Sequence, residues 1–224
     1  MPWQLLPVPL IAVGTWVTWR ARNREDYRTV AIYQPSTTVL TIVVAALGLL
    51  TANANPGFSA WILSGLILSL AGDIFNINMS RDEILYPALV VFLVAYLVYP
   101  IGIVVYDGFH FEDIFVAAAL LLVFAGVMAH LWRDLEGGWR FPVMIYALVM
   151  LFGVNRGIAT FFGDTFSTTQ AVLLSAGTSM LFIADTEYGI HRFKRPFETI
   201  IGPILYPSGQ LAIALSTSYF PAAL

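Results

Sequence analysis

The chain has no cysteine, a single lysine and three histidines among its 224 residues. Without cysteine there is no disulfide, no thiolate metal site and no cysteine nucleophile. The one lysine, Lys194, falls in a connecting stretch, so no apolar helix can carry a retinal-type Schiff base. His110 belongs to one end of the apolar segments, His130 and His191 to the other, so the three cannot meet on one zinc ion. GxSxG, HExxH and P-loop patterns are all missing. Charge is scarce as well, at 11% of residues, and no basic tract suggests a nucleic-acid partner.

What fills the chain is apolar. Hydrophobic residues make up 58%, and the mean hydropathy is +0.78. A soluble domain of this size has no use for so much apolar surface, so residues 1–224 read as one all-α membrane domain. Eight apolar segments stand out, at about 3–19, 34–52, 58–79, 84–106, 113–132, 141–162, 168–189 and 197–218. The first holds Pro2, Pro7 and Pro9, which make its start irregular. It lacks a basic leader and a small-residue cleavage site and is read as a mature helix. Linkers are brief, as at Asn55-Pro56-Gly57 and Gly137-Gly138.

Arg20, Arg22, Arg24 and Arg28 follow the first segment, and Arg81 follows the third. Arg133 and Arg140 flank the fifth-to-sixth turn, and Arg192, Lys194 and Arg195 follow the seventh. With eight spans these all lie on one side, the cytoplasmic one by the positive-inside rule. Loops near 53–57, 107–112 and 163–167 hold no lysine or arginine. The expectation is a multi-pass protein of the plasma (inner) membrane with both termini outside. The six tryptophans lie near segment ends and read as interfacial anchors. His130 and His191 read as interfacial too.

Two stretches share a frame. Ser64–Asn78 carries Gly65 and, eight residues on, Asp73; Ala176–Ile190 carries Gly177 and, eight residues on, Asp185. The offset of 112 residues is what a four-plus-four parallel duplication would leave. A carboxylate facing lipid costs roughly 2.5–3.5 kcal/mol on insertion scales, so both aspartates should face the interior, where such groups mark function. Gln34, Asn76, Tyr96, Tyr146, Tyr206 and Gln210 are candidates to share that cavity. Gly72 leaves room for a neighbouring helix or a ligand. The plainer reading is that the aspartates accept hydrogen bonds and cement helix packing. Arg156, inside the sixth segment, has three readings: snorkelling to the outer surface, pairing with Asp164, or binding phosphate.

These residues resemble the lysoplasmalogenase (YhhN-like) family of eight-helix membrane proteins. The likeness rests on Gln34-Pro35-Ser36-Thr37-Thr38, on Gly65 to Ser69-Leu70-Ala71-Gly72-Asp73, and on Pro142 to Tyr146-Ala147-Leu148. It continues in Ala184-Asp185 with Gly189-Ile190-His191-Arg192-Phe193, and in the YxxxQ of Tyr206 and Gln210. The sequence departs from the family pattern at Gln34, where a lysine is expected, at Ala95-Tyr96, where a histidine is expected near Tyr96, and at Ala184, where serine precedes the aspartate. The resemblance implies hydrolysis of the vinyl ether of a lysoplasmalogen to a fatty aldehyde and a glycerophospho-head group. Vinyl ether hydrolysis needs a carboxylic acid to protonate carbon and a carboxylate to stabilise the oxocarbenium ion and activate water, a demand akin to that met by glycosidases. Asp73 and Asp185 would be that acid/base pair, with Tyr146, Tyr206 and Gln210 positioning water or the ether oxygen. No metal and no organic cofactor is required. The implied partners are a lysophospholipid substrate and the bilayer.

A rival reading is a lipid-binding or proton-coupled transport protein using the same aspartates as a binding site. A scaffold in which they only hold helices together is a third. Asp→Asn changes separate these readings, because they keep shape while removing the proton-transfer group.

Overall fold

The computed structural model describes residues 3–52, 54–77, 81–136, 138–194 and 201–220. A short 3-10 turn, Trp3–Leu5, precedes eight α-helices among the described residues. They are α1 (Val8–Arg22), α2 (Tyr27–Gly48), α3 (Pro56–Phe75), α4 (Asp82–Asp107), α5 (Asp113–Leu131), α6 (Arg140–Ala159), α7 (Thr168–Phe193) and α8 (Gly202–Ser216). Five of them, α2 to α6, are long and apolar enough to cross a membrane, as befits a multi-pass membrane protein. The α1 and α8 helices are shorter, at 15 residues each. The expected end of the third segment at 78–79, the start of the eighth at 197–200, Gly137 and Arg195 lie outside the described residues.

The largest shift from expectation is at α2, which begins at Tyr27 rather than near Gln34. Hydropathy marks only the apolar body of a helix. The true start is set by Asp26, whose carboxylate accepts from the Thr29 amide (3.2 Å) and hydroxyl (2.6 Å). Gln34 is therefore mid-helix, just before the internal Pro35.

Short connections make sequence neighbours pack side by side. The tightest pairs are α3 with α4 and α7 with α8. Small residues explain both, as is usual where helices pack in lipid. Gly65 and Gly72 of α3 lie flat against the rings of Tyr99 and Phe92 of α4. In the second pair, a Cβ on Gly177 would sit 2.8 Å from the Gly209 carbonyl, and one on Gly209 would sit 2.8 Å from the Gly177 carbonyl. The glycines eight residues before each aspartate thus share a job: each lets α3 or α7 close on the next helix. Gly72 is covered by Phe92 of a neighbouring helix.

The α2 helix also packs on α8, and α4 on α6, while α5 rests on α6 and α7 with no extensive contact to α4. At the end lacking lysine and arginine in its loops, Phe58, Tyr106, Phe166 and Phe220 interlock, with Phe58–Phe166 centroids 5.2 Å apart. At the arginine-rich end the core gives way to a polar interior.

Candidate functional site

Asp73 is 1% exposed, in the last turn of α3. Gln34 Nε2 donates to its Oδ1 (2.7 Å), and the Thr38 hydroxyl donates to its Oδ2 (2.5 Å). Gln34 and Thr38 stand four residues apart on α2 and so face the same way. The Thr38 oxygen is also 3.2 Å from Gln210 Oε1. Gln210 in turn donates through Nε2 to the Tyr206 hydroxyl (2.7 Å), one turn earlier on α8. Tyr206 also lies near both Asp73 and Asp185. Both hydrogen bonds to this buried carboxylate come from α2, and they offset the cost of burying it.

Asp185 sits on α7 with the Tyr146 hydroxyl of α6 donating to its Oδ2. Tyr96 is buried beside both groups, yet its hydroxyl closes no hydrogen bond. Its ring packs between Phe92 and Tyr146, with centroids 5.8 and 5.9 Å away.

A cleft opens beside this cluster. Its polar end is made by Gln34, Asn76, Tyr146, Asp185 and Tyr206. Its apolar walls come from the first turns of α4 (Leu85, Leu89, Phe92), the end of α5 (Val127, Leu131) and α6 (Val143, Met150). Because α4 and α5 do not pack closely, the gap between them forms part of this space. Asp73 and Gln210 stand behind the wall. Tyr96 lines a separate, smaller cavity with Tyr99, Pro100 and Thr178. Of the residues singled out from sequence, five therefore line one cleft, Asp73 and Gln210 support it from behind, and Tyr96 stands between the two cavities.

The structure corrects the readings of Arg156. Snorkelling and a pairing with Asp164 are both overturned: the side chain is fully buried and ion-pairs with Asp113. Nη1 donates to the Gly108 carbonyl (2.7 Å), and the guanidinium lies 4.7 Å from the Phe109 ring centroid. Asp113 Oδ2 also accepts from the His110 amide (2.7 Å), and Asn155 Nδ2 donates to the Asp113 carbonyl (3.0 Å). The guanidinium is thus committed to the α4–α5 corner, far from the cleft, which leaves the phosphate reading without support. His130 is exposed, with Lys194 Nζ 3.0 Å from its Nε2.

Three site residues escaped the sequence reading. Thr38 could have been found from its four-residue spacing to Gln34. Arg22 looked like one more charge of a basic loop. It reaches back instead, donating from Nε (3.1 Å) and Nη2 (2.6 Å) to Gln34 Oε1 and from Nη2 to the Asn76 carbonyl (2.9 Å). Its guanidinium lies 5.5 Å from the Tyr188 ring centroid. Arg192 also looked like a boundary charge, but it lines the cleft.

A family model described as the YhhN family matches residues 31–217. That match contains every site residue named here except Arg22. No curated protein and no solved structure matches the chain.

Proposed function

The chain belongs to the YhhN family, which includes lysoplasmalogenases, and on that premise we propose that it is a membrane hydrolase cleaving the vinyl ether of lysoplasmalogens. The observation carrying the reading is that Asp185 and Tyr146 stand at the polar end of a mainly apolar cleft, with a second carboxylate, Asp73, behind them. A single hydrocarbon chain fits such walls, and the gap between α4 and α5 offers it a sideways path from the bilayer.

The reaction consumes one water. Asp185, as the carboxylic acid in reach of the cleft, gives its proton to the β-carbon of the vinyl ether. The resulting oxocarbenium ion faces the Asp185 carboxylate, with the Asp73 charge behind it; fixed charge aimed where cation develops is the largest usual contribution to such a barrier. Water adds to the cationic carbon while Asp185 takes back a proton. The hemiacetal then breaks its C–O bond to release fatty aldehyde and the glycerophospho alcohol. Tyr146 orients Asp185, and Tyr206 with Gln210 couples the cleft to Asp73. Gln34 and Thr38 hold Asp73 in place as positioning residues.

The same reading gives eight spans with both termini outside the cytoplasm. A span of about 30 Å needs about 20 helical residues, so the turn at Trp3–Leu5 would complete the span of α1. The pairing of α2 with α8 and of α4 with α6 is the exchange that a four-plus-four duplication predicts.

The test is aldehyde release from a synthetic lysoplasmalogen by detergent-purified protein. Release at a rate proportional to protein supports the hydrolase. Uptake of lysolipid into vesicles with no aldehyde across head groups and pH would instead establish the carrier.

A further inference from the structure

Two arginines stand at the cleft: Arg192 in its lining, and Arg22 just behind it on the lining residues Gln34, Asn76 and Tyr188. Asp185, Tyr188 and Arg192 occupy positions i, i+3 and i+7 of α7, one stripe of one helix face. All three line the cleft. Arg22 lies over the Tyr188 ring, and the Arg192 guanidinium lies over the ring of Phe193, which also lines the cleft, so a cation stands by each of two aromatic rings of the cleft wall. Asp185 and Arg192 are about 10 Å apart along the helix axis, the scale of a glycerophosphate bridge with a hydrogen bond at either end.

Neither cation is used up by its neighbours. Arg22 engages Gln34 and the Asn76 carbonyl through Nε and Nη2, leaving Nη1 without an acceptor among the described residues. Arg192 holds the exposed Asp82 through Nη2, while its Nε is buried with no acceptor. Burying such a donor unpaired is costly, and the cost falls away when an anion arrives. Asn76 Oδ1 is likewise buried and unpaired. It lines the cleft beside the Arg22 contact and could accept from a glycerol hydroxyl.

Resting on the reading that the cleft holds a single-chain phospholipid, we propose that Arg22 and Arg192 form its phosphodiester clamp. The Nη1 of Arg22 and the Nε of Arg192 donate to the phosphate oxygens. The clamp sets the depth at which the vinyl ether carbons meet Asp185. Arginine suits this role better than lysine, because its planar fork can keep one edge on protein and offer another to phosphate.

The experiment is equilibrium binding to the detergent-purified full chain of a 1-O-alkyl lysophosphatidylcholine, a saturated ether that cannot be hydrolysed. Its partners are 1-O-alkylglycerol, which lacks the phosphate, and glycerophosphocholine, which lacks the chain. Arg22→Gln and Arg192→Gln should each weaken the lysophospholipid about tenfold or more and leave alkylglycerol binding unchanged. Arg22→Lys should recover part of the loss. Equal weakening of both lipids, or no weakening, overturns the clamp. Binding of glycerophosphocholine as tight as that of the full lipid would also overturn it, in favour of a free organophosphate site. Should Arg22→Gln fail to fold, as a lower melting temperature would show, Arg192→Gln decides alone, since its partner Asp82 is exposed. Because the ligand is inert, the outcome is independent of turnover. Clamp-dependent binding without aldehyde release would sink the hydrolase reading alone. Aldehyde release with Arg-independent binding would sink the clamp alone.

Discussion

Gln34 and Asp73 are joined by a 2.7 Å hydrogen bond from the side-chain amide of one to Oδ1 of the other. The carbonyl oxygen of the same amide accepts two bonds from Arg22. One neutral side chain thus separates a guanidinium from a buried carboxylate and satisfies both. Gln34→Met keeps the length and removes every polar atom. It should cost about 1–3 kcal/mol of stability for the partners left unpaired. A melting temperature in detergent equal to wild type would argue against this linkage.

Arg156 and Asp113 form a buried ion pair at the α4–α5 corner, 43 residues apart in sequence. Removing one partner of such a pair leaves a buried charge uncompensated, at a cost of about 3–5 kcal/mol. Arg156→Met should therefore lower the melting temperature strongly. Folded protein recovered at low temperature should keep its activity, because the pair lies away from the cleft. Activity lost in fully folded protein would mean the corner also serves the site.

Gly177 and Gly209 bring the α7 and α8 backbones together, and the added methyl of Gly177→Ala would meet a carbonyl that cannot move alone. Overpacking of this kind costs about 1–3 kcal/mol. Thermal unfolding should show the loss. Gly126→Ala is the control, since nothing lies within 4 Å of the added carbon, and it should be neutral or mildly stabilising.

Asp26, in the exposed turn between α1 and α2, carries the pH prediction. The hydroxyl of Thr29 and then its amide hold the Asp26 carboxyl below the usual value of 3.8. A depressed folded-state value contributes stability that is fully present above the unfolded value and is lost as pH falls through the folded one. The difference in melting temperature between wild type and Asp26→Asn should thus be flat from pH 5 to 8 and shrink only below about 4. A difference that changes near neutral pH would contradict this assignment.

The two aspartates were legible in the sequence because a carboxylate in an apolar stretch is a one-dimensional signal. The shared glycine frame was legible for the same reason, and its cause proved to be helix packing. Arg22 and Arg192 were hidden among boundary charges, because the sidedness rule explains any arginine next to a span. What distinguishes them is reach: Arg22 crosses from the end of α1 to Asn76, 54 residues away. Arg156 was misread for a related reason. Asp164 is near in sequence, but the chain turns so that α5, rather than the following loop, meets the guanidinium. The start of α2 was missed because capping by Asp26 and Thr29 involves polar residues that hydropathy discards.

The most direct test of the account is hydrolysis of a synthetic lysoplasmalogen in deuterated water, with the aldehyde trapped as it forms. Wild type should release aldehyde carrying one deuterium on the carbon beside the carbonyl, the mark of protonation at carbon. Asp185→Asn, folded as judged by its melting temperature, should be slowed at least about a hundredfold, and Asp73→Asn should be slowed as well. No aldehyde from folded wild type, or undiminished release from Asp185→Asn, would contradict the account.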